Sequence, residues 1–390
     1  MIMTELHLVV LAGPHERYNC VVSTILKEDA GLEGPIFFKD EEHNTWFPAD
    51  AWKTAGGQIE ICLIVPYLAE FQELELALDE NGPAWKDEMV GVTLEKKSNT
   101  RVDVKVGGDP LTALHFNEKD ADRPYLYPLL GPQGQPMTRS FPMEKVKGET
   151  DDHPHHRSVW TAYGEVSGVN HWATGGMVGK IAVTDMRAAT SGLSAGRFLF
   201  DATWRNKFGD EEESLDETRE IRVYNLQRGI QAMDFTIALS ARHGDVHFGD
   251  TKEGGFLSVR VTSSMDGDKG GLIENCYGAK TEKECWGKPA PWCDYSGTVK
   301  GFKVGVAIMN HPSSFRFPTY WHVRDYGLFA ANPFGLKAFT DGALNGEFTL
   351  RNDEMITFEY RLLVHAGDAS AGRVKERYLD YVRPPEIKQI

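Results

Sequence analysis

The most regular pattern along the chain is an alternation of apolar and polar residues with a period of two. Residues 233–239 and 356–364 place an apolar side chain at every second position. Because successive side chains of a strand point to opposite faces, this pattern predicts half-buried strands of antiparallel sheets. Shorter stretches of the same kind cover residues 198–204, 221–226, 257–261 and 304–308. Clusters of glycine, asparagine, aspartate and proline separate them, which indicates a sheet-rich protein.

Apolar residues at helical spacing are rare in this sequence. The best case is residues 368–382, where Asp368 can cap the start and Pro384 lies just beyond the end. Residues 66–78 are a weaker helical candidate. We therefore expect a C-terminal helix in a protein that is otherwise mainly β.

A change in composition near residues 105–110 suggests where the chain divides. The residues before it have modest β character and few side chains suited to catalysis, whereas polar and aromatic side chains become dense after it. We predict a small N-terminal β-rich domain over residues 1–108. A large antiparallel β-sandwich over residues 109–390 is expected to carry the active site.

Charge and cysteine content restrict the partners and the compartment. The net charge is −15, which argues against nucleic acid and anionic membranes, because both are bound through basic surfaces. The five cysteines form no C-x-x-C pair, as expected of reduced thiols in the cytoplasm. The sequence shows no secretory signal and no apolar run that could span a membrane. We expect a soluble, cytoplasmic protein, and a homo-oligomer is left open.

The densest cluster of reactive side chains is TDDHPHHRSVW, residues 150–160. If this segment is extended, His153, His155 and Arg157 share one face and His156 points away. Pro154 favours an extended conformation, since it biases the preceding residue away from the helical region. The segment is therefore a candidate site, unless it is only a polar turn.

Two chemistries fit this cluster. In the first, a histidine moves a proton to or from a sugar oxygen, which its ordinary pKa of about 6.5 permits. Arg157 would then hold a hydroxyl, carboxylate or carbonyl through its forked donors. In the second, His153 and His155 bind a divalent metal together with His247, Asp250 or a nearby aspartate.

Four further segments carry side chains suited to catalysis or sugar binding: residues 122–142, 242–256, 284–297 and 310–335. Glu253 is the candidate general base, and Trp286 and Trp321 are candidate stacking platforms for a sugar ring. Trp292 and Tyr295 are expected at the rim of the site. The substrate-binding candidates are Arg123, Tyr125, Tyr127, His247, Asp250, Lys252, Trp286, His311, Trp321, His322, Arg324 and Asn332.

Several common cofactor and nucleophile motifs are missing from the sequence. It has no phosphate-binding P-loop, no G-x-G-x-x-G after a strand and no G-x-S-x-G elbow. We therefore expect neither a nucleotide cofactor nor serine-hydrolase chemistry. A divalent metal is the cofactor left open.

Six segments in order resemble a bacterial family known as PmoA-like, or methane oxygenase-like. They are RPYLYPLLGPQG, DHPHHRSVW, GEVSGVNHW, FGDTKEGGF, WGKPAPWCDYSG and HPSSFRFPTYWHVRDYGLFAANPFG, which lie within residues 123–335, and the resemblance as a whole covers roughly residues 114–365. The methane monooxygenase subunit of that name is a membrane protein, so its activity is not implied for a sequence without a membrane span. Genes of the resembled family tend to lie near sugar oxidoreductases and isomerases, which implies carbohydrate metabolism. The sandwich also resembles, loosely, the galactose-mutarotase type.

The function expected is acid–base chemistry on a sugar or oxidised sugar: epimerisation, β-elimination or glycoside cleavage. The catalytic candidates are His153, His155, His156, Arg157 and Glu253. In this hypothesis His155 or His153 is the acid, Glu253 is the base, and Arg157 and Arg324 hold oxygens. The alternatives are a metal-dependent hydrolase, lyase or oxygenase, and a sugar-binding protein without catalysis.

Overall fold

The computed structural model describes residues 6–27, 31–54, 56–176, 178–205, 213–226 and 229–390. Most regular structure in these ranges is β-strand, in three large sheets and one two-stranded ribbon, and every strand pair in them is antiparallel. The expectation of a mainly β protein with antiparallel sheets is confirmed.

Sheet A is formed by the start of the chain and its last strand. Its members are β1 His7–Leu11, β2 Arg17–Ile25, β3 Gly34–Asp40, β4 Thr45–Lys53, β5 Ile59–Leu68, β6 Glu73–Leu78 and β25 Glu386–Gln389, in the order β2-β5-β4-β3-β6-β1-β25. The two end strands approach each other, and the Gln389 amide donates to the Ile25 carbonyl (2.8 Å) and the Thr24 hydroxyl (3.1 Å). Sheet A therefore curls almost closed around its own apolar core.

The rest of the chain forms a sandwich of two eight-stranded sheets. Sheet B contains β7 Val92–Lys96, β8 Arg101–Val106, β9 Asp109–His115, β10 Tyr125–Leu126, β11 Val159–Tyr163, β17 Gly254–Arg260, β21 Tyr320–Val323 and β22 Leu328–Asn332. Sheet C contains β12 Lys180–Thr190, β13 Ala195–Arg205, β14 Glu213–Tyr224, β15 Ile230–Ser240, β18 Leu272–Asn275, β19 Trp292–Val299, β20 Phe302–Asn310 and β24 Met355–Ala366. The ribbon pairs β16 Val246–Phe248 with β23 Phe348–Leu350.

The alternation seen in the sequence is what fills the sandwich. Phe235 pairs with Tyr360 and Ile237 with Phe358 across β15 and β24, and all four side chains join one core with residues of sheet B. Paired residues share a face of a sheet, so each row contributes its apolar side to that core. The outward faces of the two sheets carry the remaining side chains.

Helices are short in the described residues: α1 Thr281–Cys285, α2 Leu336–Phe339 and α3 Val374–Val382, with single 3₁₀ turns at Lys86–Glu88, Ser263–Met265 and Gly267–Lys269. The predicted C-terminal helix is confirmed but begins later than residue 368. Arg373 has φ of 53°, a left-handed conformation that a right-handed helix cannot pass through. None of the described helices is long and apolar enough to span a membrane.

Two sequence expectations about local structure are wrong. Residues 66–78 are not helical: they close β5 and form β6, and the turn between the strands places Phe71 at φ 58°. Trp292 and Tyr295 are not rim aromatics, since both are buried in β19. Trp292 packs toward sheet A, and Tyr295 faces the sandwich core, so a strand covered on both sides takes up both rings.

Sheet A packs on the outward face of sheet C. The Asp50 carboxylate accepts hydrogen bonds from the backbone N–H groups of Leu193 (2.9 Å), Ser194 (2.7 Å) and Ala195 (2.9 Å). Arg222 of sheet C forms a two-bond ion pair with Glu60 of sheet A, at 2.6 and 2.8 Å.

The chain changes from sheet A to sheet B between β6 and β7, ahead of the composition change at residues 105–110.

Candidate functional site

The candidate site lies on the outward face of sheet B, opposite the sandwich core. One row of paired residues crosses four strands there: Trp160 pairs with Ser258, Ser258 with Ala330, and Ala330 with His322. Two small residues in the middle of this row leave room above the sheet. A bulge in β17 lies beside this row, and it requires glycine at position 255, because a Cβ atom there would lie 2.3 Å from the Ser258 hydroxyl.

The histidine segment fills this space as a turn, which corrects the expectation of an extended strand. His153 has φ of 43°, and the His156 N–H donates to its carbonyl at 3.0 Å. The turn brings the three rings together rather than separating them onto two faces. The ring centroids of His155 and His156 are 4.4 Å apart, and His153 stacks on His156 at 4.9 Å.

A network of ion pairs and hydrogen bonds between charged side chains holds this turn in place. Asp152 pairs with two buried arginines, Arg139 and Arg260. Arg139 also donates to the His153 carbonyl (3.1 Å), and Arg260 donates to the Nδ1 atom of His156 (3.0 Å). An arginine has no acceptor, so Nδ1 of His156 must accept and its proton must sit on Nε2. Burial lowers the pKa of His156 well below 6.5.

Two tryptophans form a buried aromatic layer beside the histidines. His156 stacks over Trp160 at 5.2 Å, and Trp172 lies 5.9 Å from His155. Arg123 holds the Trp172 segment through the Trp172 carbonyl at 2.6 Å. Both indole N–H groups are buried without a hydrogen-bond partner in the described chain. Buried donors normally have a partner, so these two groups are suited to a bound water or ligand.

The carboxylate of Glu253 and a fourth imidazole, that of His322, complete the cluster. Glu253 forms an ion pair with Lys252, and both side chains are about two-fifths exposed, at 42% and 41%. Burial acts to raise the pKa of Glu253, but the Lys252 pair, His322 and His155 together hold it below its ordinary value. Asn332 positions the backbone at this point, with its amide donating to the carbonyls of Thr251 and Lys252 at 3.0 and 3.1 Å.

His155 and His322 are both neutral at neutral pH. Burial is the main cause, and it lowers the pKa of each to about 4; nearby cations act in the same direction, while Glu253 opposes them. The His322 side chain is 1% exposed. The Lys252 carbonyl lies toward its ring, but neither ring nitrogen makes a hydrogen bond of good geometry to any residue that the structure describes. The expectation that His155 is the acid is therefore not supported by its protonation state.

Tyr326 closes the opposite side of the cluster. Its ring stacks on His153, with centroids 5.1 Å apart and planes at 7°. The guanidinium carbons of Arg260 and Arg324 lie 4.8 and 5.4 Å from the ring centroid. Arg324 reaches this position from an ion pair with Glu282 at 2.8 Å. A phenol thus lies between two cations at the edge of the histidine turn.

The sequence comparison places the chain in a family. A model described as "Family of unknown function (DUF6807)" matches residues 101–378, more than two thirds of the chain. The chain belongs to the DUF6807 family. No curated protein matches it.

The match covers every residue of the cluster in this DUF6807 protein. The structure brings together seven of the residues expected from the sequence: His153, His155, His156, Arg123, Lys252, Glu253 and His322, with Arg324 alongside. Asn332 belongs to the site only through the backbone that it holds.

Arg157, Tyr125 and Tyr127 form a neighbouring support rather than an open oxygen clamp. Arg157 lies over the Tyr125 ring at 5.3 Å and donates to the Asp120 carbonyl. The Tyr125 hydroxyl donates to Glu118 (2.6 Å), and the Tyr127 carbonyl pairs with His115 (3.0 Å). All three predicted residues are buried, with their polar groups largely engaged within the protein.

Of the expected metal ligands of this DUF6807 chain, His153 and His155 lie side by side, with ring centroids 5.7 Å apart, whereas His247 and Asp250 do not join them. His247 lies in the ribbon, 3.3 Å from the Thr349 hydroxyl, and Asp250 accepts N–H groups of Lys337 (2.8 Å) and Gly346 (2.6 Å). Across the described ranges, the set of three His, Cys, Asp or Glu side chains whose donor atoms converge is Glu213, Asp216 and His243, outside the site.

Three more predicted residues have other roles. Trp321 is not a stacking platform: it is fully buried in the sandwich core, where its N–H donates to the Ala290 carbonyl at 3.0 Å. His311 pairs with Glu359 at 3.1 Å and packs against Tyr381 on the side of α3. Trp286 is half-buried against Phe339, which also lies 6.1 Å from His322, so it borders the cluster.

The candidates named from the sequence do not include several residues of the site: Arg139, Trp160, Trp172, Arg260 and Tyr326. Asp152 is among the aspartates that the sequence offers only as metal ligands. One signal pointed to Arg260, because an arginine inside the apolar run of β17 requires a buried partner. Asn170 gave another, since its side chain caps the N–H groups of Trp172 and Ala173 at 2.9 Å each. Neither signal says which distant segment the residue meets.

Proposed function

We propose that this DUF6807 protein is a carbohydrate-active enzyme that transfers protons on a sugar or an oxidised sugar. The observation that carries the proposal is the position of Glu253. Its carboxylate is close enough to His155 and His322 to act on the pKa of both. A partly exposed carboxylate beside two neutral imidazoles can take a proton from a bound substrate while the imidazoles hold that substrate in place.

The neutral groups of the cluster favour a hydroxyl-rich ligand. A neutral imidazole offers one donor and one acceptor, as a sugar hydroxyl does, and an indole offers one donor. The half-buried His155 and, behind it, the buried His322, Trp160 and Trp172 therefore provide polar atoms that a hydroxyl group or a bound water entering the cluster can satisfy. In this proposal Glu253 is the base, and Arg324 contacts a substrate oxygen from the rim.

The test is proton exchange in heavy water. Purified protein is incubated in D₂O with a panel of sugars, uronates and 3-keto sugars, and the loss of each C–H signal is followed by NMR. We expect deuterium incorporation at one carbon of one substrate class. Glu253→Gln should slow it by about 10²–10⁴-fold, the usual contribution of a general base.

The matched control is Glu359→Gln. Glu359 is also a partly exposed, ion-paired glutamate, at 33% exposure, but it pairs with His311 on the far side of the sandwich, and its loss should leave exchange unchanged. Equal exchange in wild type and Glu253→Gln would remove the proposal. Binding of a sugar without any exchange or turnover would instead favour a sugar-binding protein.

Other expectations stay predictions. They are the resemblance to the PmoA-like family, a location in the cytoplasm, a small carbohydrate as partner, a homo-oligomer and a bound divalent metal.

A further inference from the structure

The cluster contains two carboxylates, but one of them is fully engaged. Asp152 pairs through Oδ1 with Arg139 and Arg260, and its Oδ2 lies 3.1 Å from Nδ1 of His153. The usual cleavage of a glycoside by water needs two carboxylates with separate roles as acid and base or nucleophile. Asp152 is held by two arginines and also faces His153, whereas Glu253 pairs with one lysine, so Glu253 is the carboxylate of the two that is better placed to act as a base.

The remaining proton donor at the substrate side is Tyr326. Its ring is held on one side by stacking on His153 and is flanked by the guanidinium groups of Arg260 and Arg324. We find no hydrogen-bond partner for its hydroxyl among the described residues, although Glu253 and Asp152 are close enough to influence its ionisation. A fixed phenol with a free hydroxyl can donate to a substrate oxygen.

We propose that Tyr326 is the acid of a β-elimination in which Glu253 is the base. This inference rests on the proposed function and narrows it to one reaction class. Glu253 takes the proton from the carbon next to a carbonyl or carboxylate. The electron pair of that C–H bond forms a carbon–carbon double bond, the C–O bond at the next carbon breaks, and the departing oxygen takes the hydroxyl proton of Tyr326.

The proton balance closes within the enzyme. The step leaves a neutral Glu253 and a phenolate at Tyr326, and one proton then returns from the first to the second through solvent. Arg260 and Arg324 stabilise the phenolate while it exists, because two positive charges face its ring. Burial raises the pKa of Tyr326 against the effect of both arginines, so the phenol carries its proton at neutral pH.

The chemistry of the proposed step also defines the class of substrate. Elimination requires a C–H bond made acidic by a neighbouring carbonyl or carboxylate, and an oxygen substituent one carbon further. Glycosides of 3-keto sugars and 4-linked uronates meet both conditions. A simple monosaccharide without an oxidised carbon does not, and we expect no turnover of it.

The experiment compares leaving groups in Tyr326→Phe. The probes are methyl and 4-nitrophenyl 3-keto-glucosides and methylated 4-linked uronate disaccharides, with the ultraviolet absorbance of the new double bond as readout. Tyr326→Phe should lose about 10²–10⁴-fold in kcat on methyl or sugar leaving groups. It should lose far less on 4-nitrophenol, which departs without a proton. In wild type the rate should fall at alkaline pH as Tyr326 ionises, and this fall should be absent in Tyr326→Phe.

The matched control is Tyr320→Phe, a half-buried tyrosine on β21 whose ring stacks on Phe339. It should keep wild-type rates on every probe. The inference is overturned if Tyr326→Phe stays within twofold of wild type on the methyl glucoside, or if its loss is equal for all leaving groups. The proposed function then still stands, provided that exchange depends on Glu253. If wild type shows neither exchange nor elimination on these probes, both fail together.

Discussion

His155 and His322 have the same ordinary pKa as any histidine, but each lies where a positive charge is poorly solvated. Burial and the nearby cations lower both values to about 4, whereas Glu253 stays ionised because Lys252 pairs with it. Proton abstraction by Glu253 then needs no protonated histidine. This assignment differs from one made on residue type alone, in which a histidine was the acid.

A pH profile distinguishes the two assignments. With Glu253 ionised, both imidazoles neutral and Tyr326 protonated, kcat/KM should be flat from about pH 6 to 8 and fall on acidification, with a separate fall at alkaline pH where Tyr326 ionises. The half-maximal rate should lie near pH 4, set by the histidine pKa values of about 4. A rate that instead falls above pH 6.5 would show that a protonated histidine is required and would contradict the role of Glu253 as the base beside neutral imidazoles.

At the scale of elements, a short loop and a bulged strand together build the site. The small residues Ser258 and Ala330 leave room above sheet B, and the bulge in β17 lies next to them. The turn at His153 fills it with imidazole rings, and Arg260 holds that turn from within the strand. The sandwich core lies on the other face, so loops on this face can vary without disturbing the packing of the two sheets.

The last strand gives a prediction about stability at the same scale. β25 pairs with β1, and Ile387 packs on the core of sheet A. Deleting residues 386–390 should lower the free energy of unfolding by about 3 kcal/mol, from the lost ladder and the exposed side chain. Gln389→Ala should lower the free energy of unfolding by about 1 kcal/mol, because only the hydrogen bonds from the Gln389 side chain to β2 are lost.

Urea unfolding followed by tryptophan fluorescence measures both changes. Turnover well below the unfolding midpoint is the internal control, since the site lies on sheet B and both variants should keep it. A truncated chain as stable as the full chain would show that β25 contributes nothing to sheet A.

At the scale of the whole molecule, buried histidines link stability to pH. Burial lowers the pKa of His171 to about 3 and that of His322 to about 4, and it also lowers the pKa of His156 well below 6.5. These groups bind protons in the unfolded chain before they do so in the folded one. Their contribution is present above pH 6.5 and is lost as the pH falls toward the folded values. His365, whose pKa is raised beside Asp294, acts in the opposite sense.

We therefore expect the free energy of unfolding to fall between pH 7.5 and 5.5. Each histidine with a strongly lowered pKa contributes about 1.4 kcal/mol to that fall. Urea midpoints at the two pH values measure it. His171→Gln removes one such group outside the site, so the difference between the two pH values should shrink by about 1.4 kcal/mol whatever the variant's absolute stability. An unchanged difference would mean that His171 titrates normally in the folded protein.

Elements whose pattern is local can be predicted from the amino-acid sequence alone. Alternation identified β13, β15, β20 and β24, because one buried face imposes a period of two on each strand. The amino-acid sequence also indicated the histidine segment and Glu253, because reactive side chains that cluster along the chain can be recognised without a structure. The C-terminal helix was found for the same reason, although the conformation of Arg373, which sets its start, was not evident from the pattern.

Only the tertiary structure decided which of these residues meet. Glu253 and His322 lie about seventy positions apart in sequence and far beyond the histidine turn, and they reach it because β17, β22 and β21 are neighbours in sheet B. Trp321 and His322 are adjacent in sequence, yet one joins the core and the other the site, because strand neighbours face opposite sides. Sheet order and burial are set by packing between distant segments, and they also fix the protonation of the histidines.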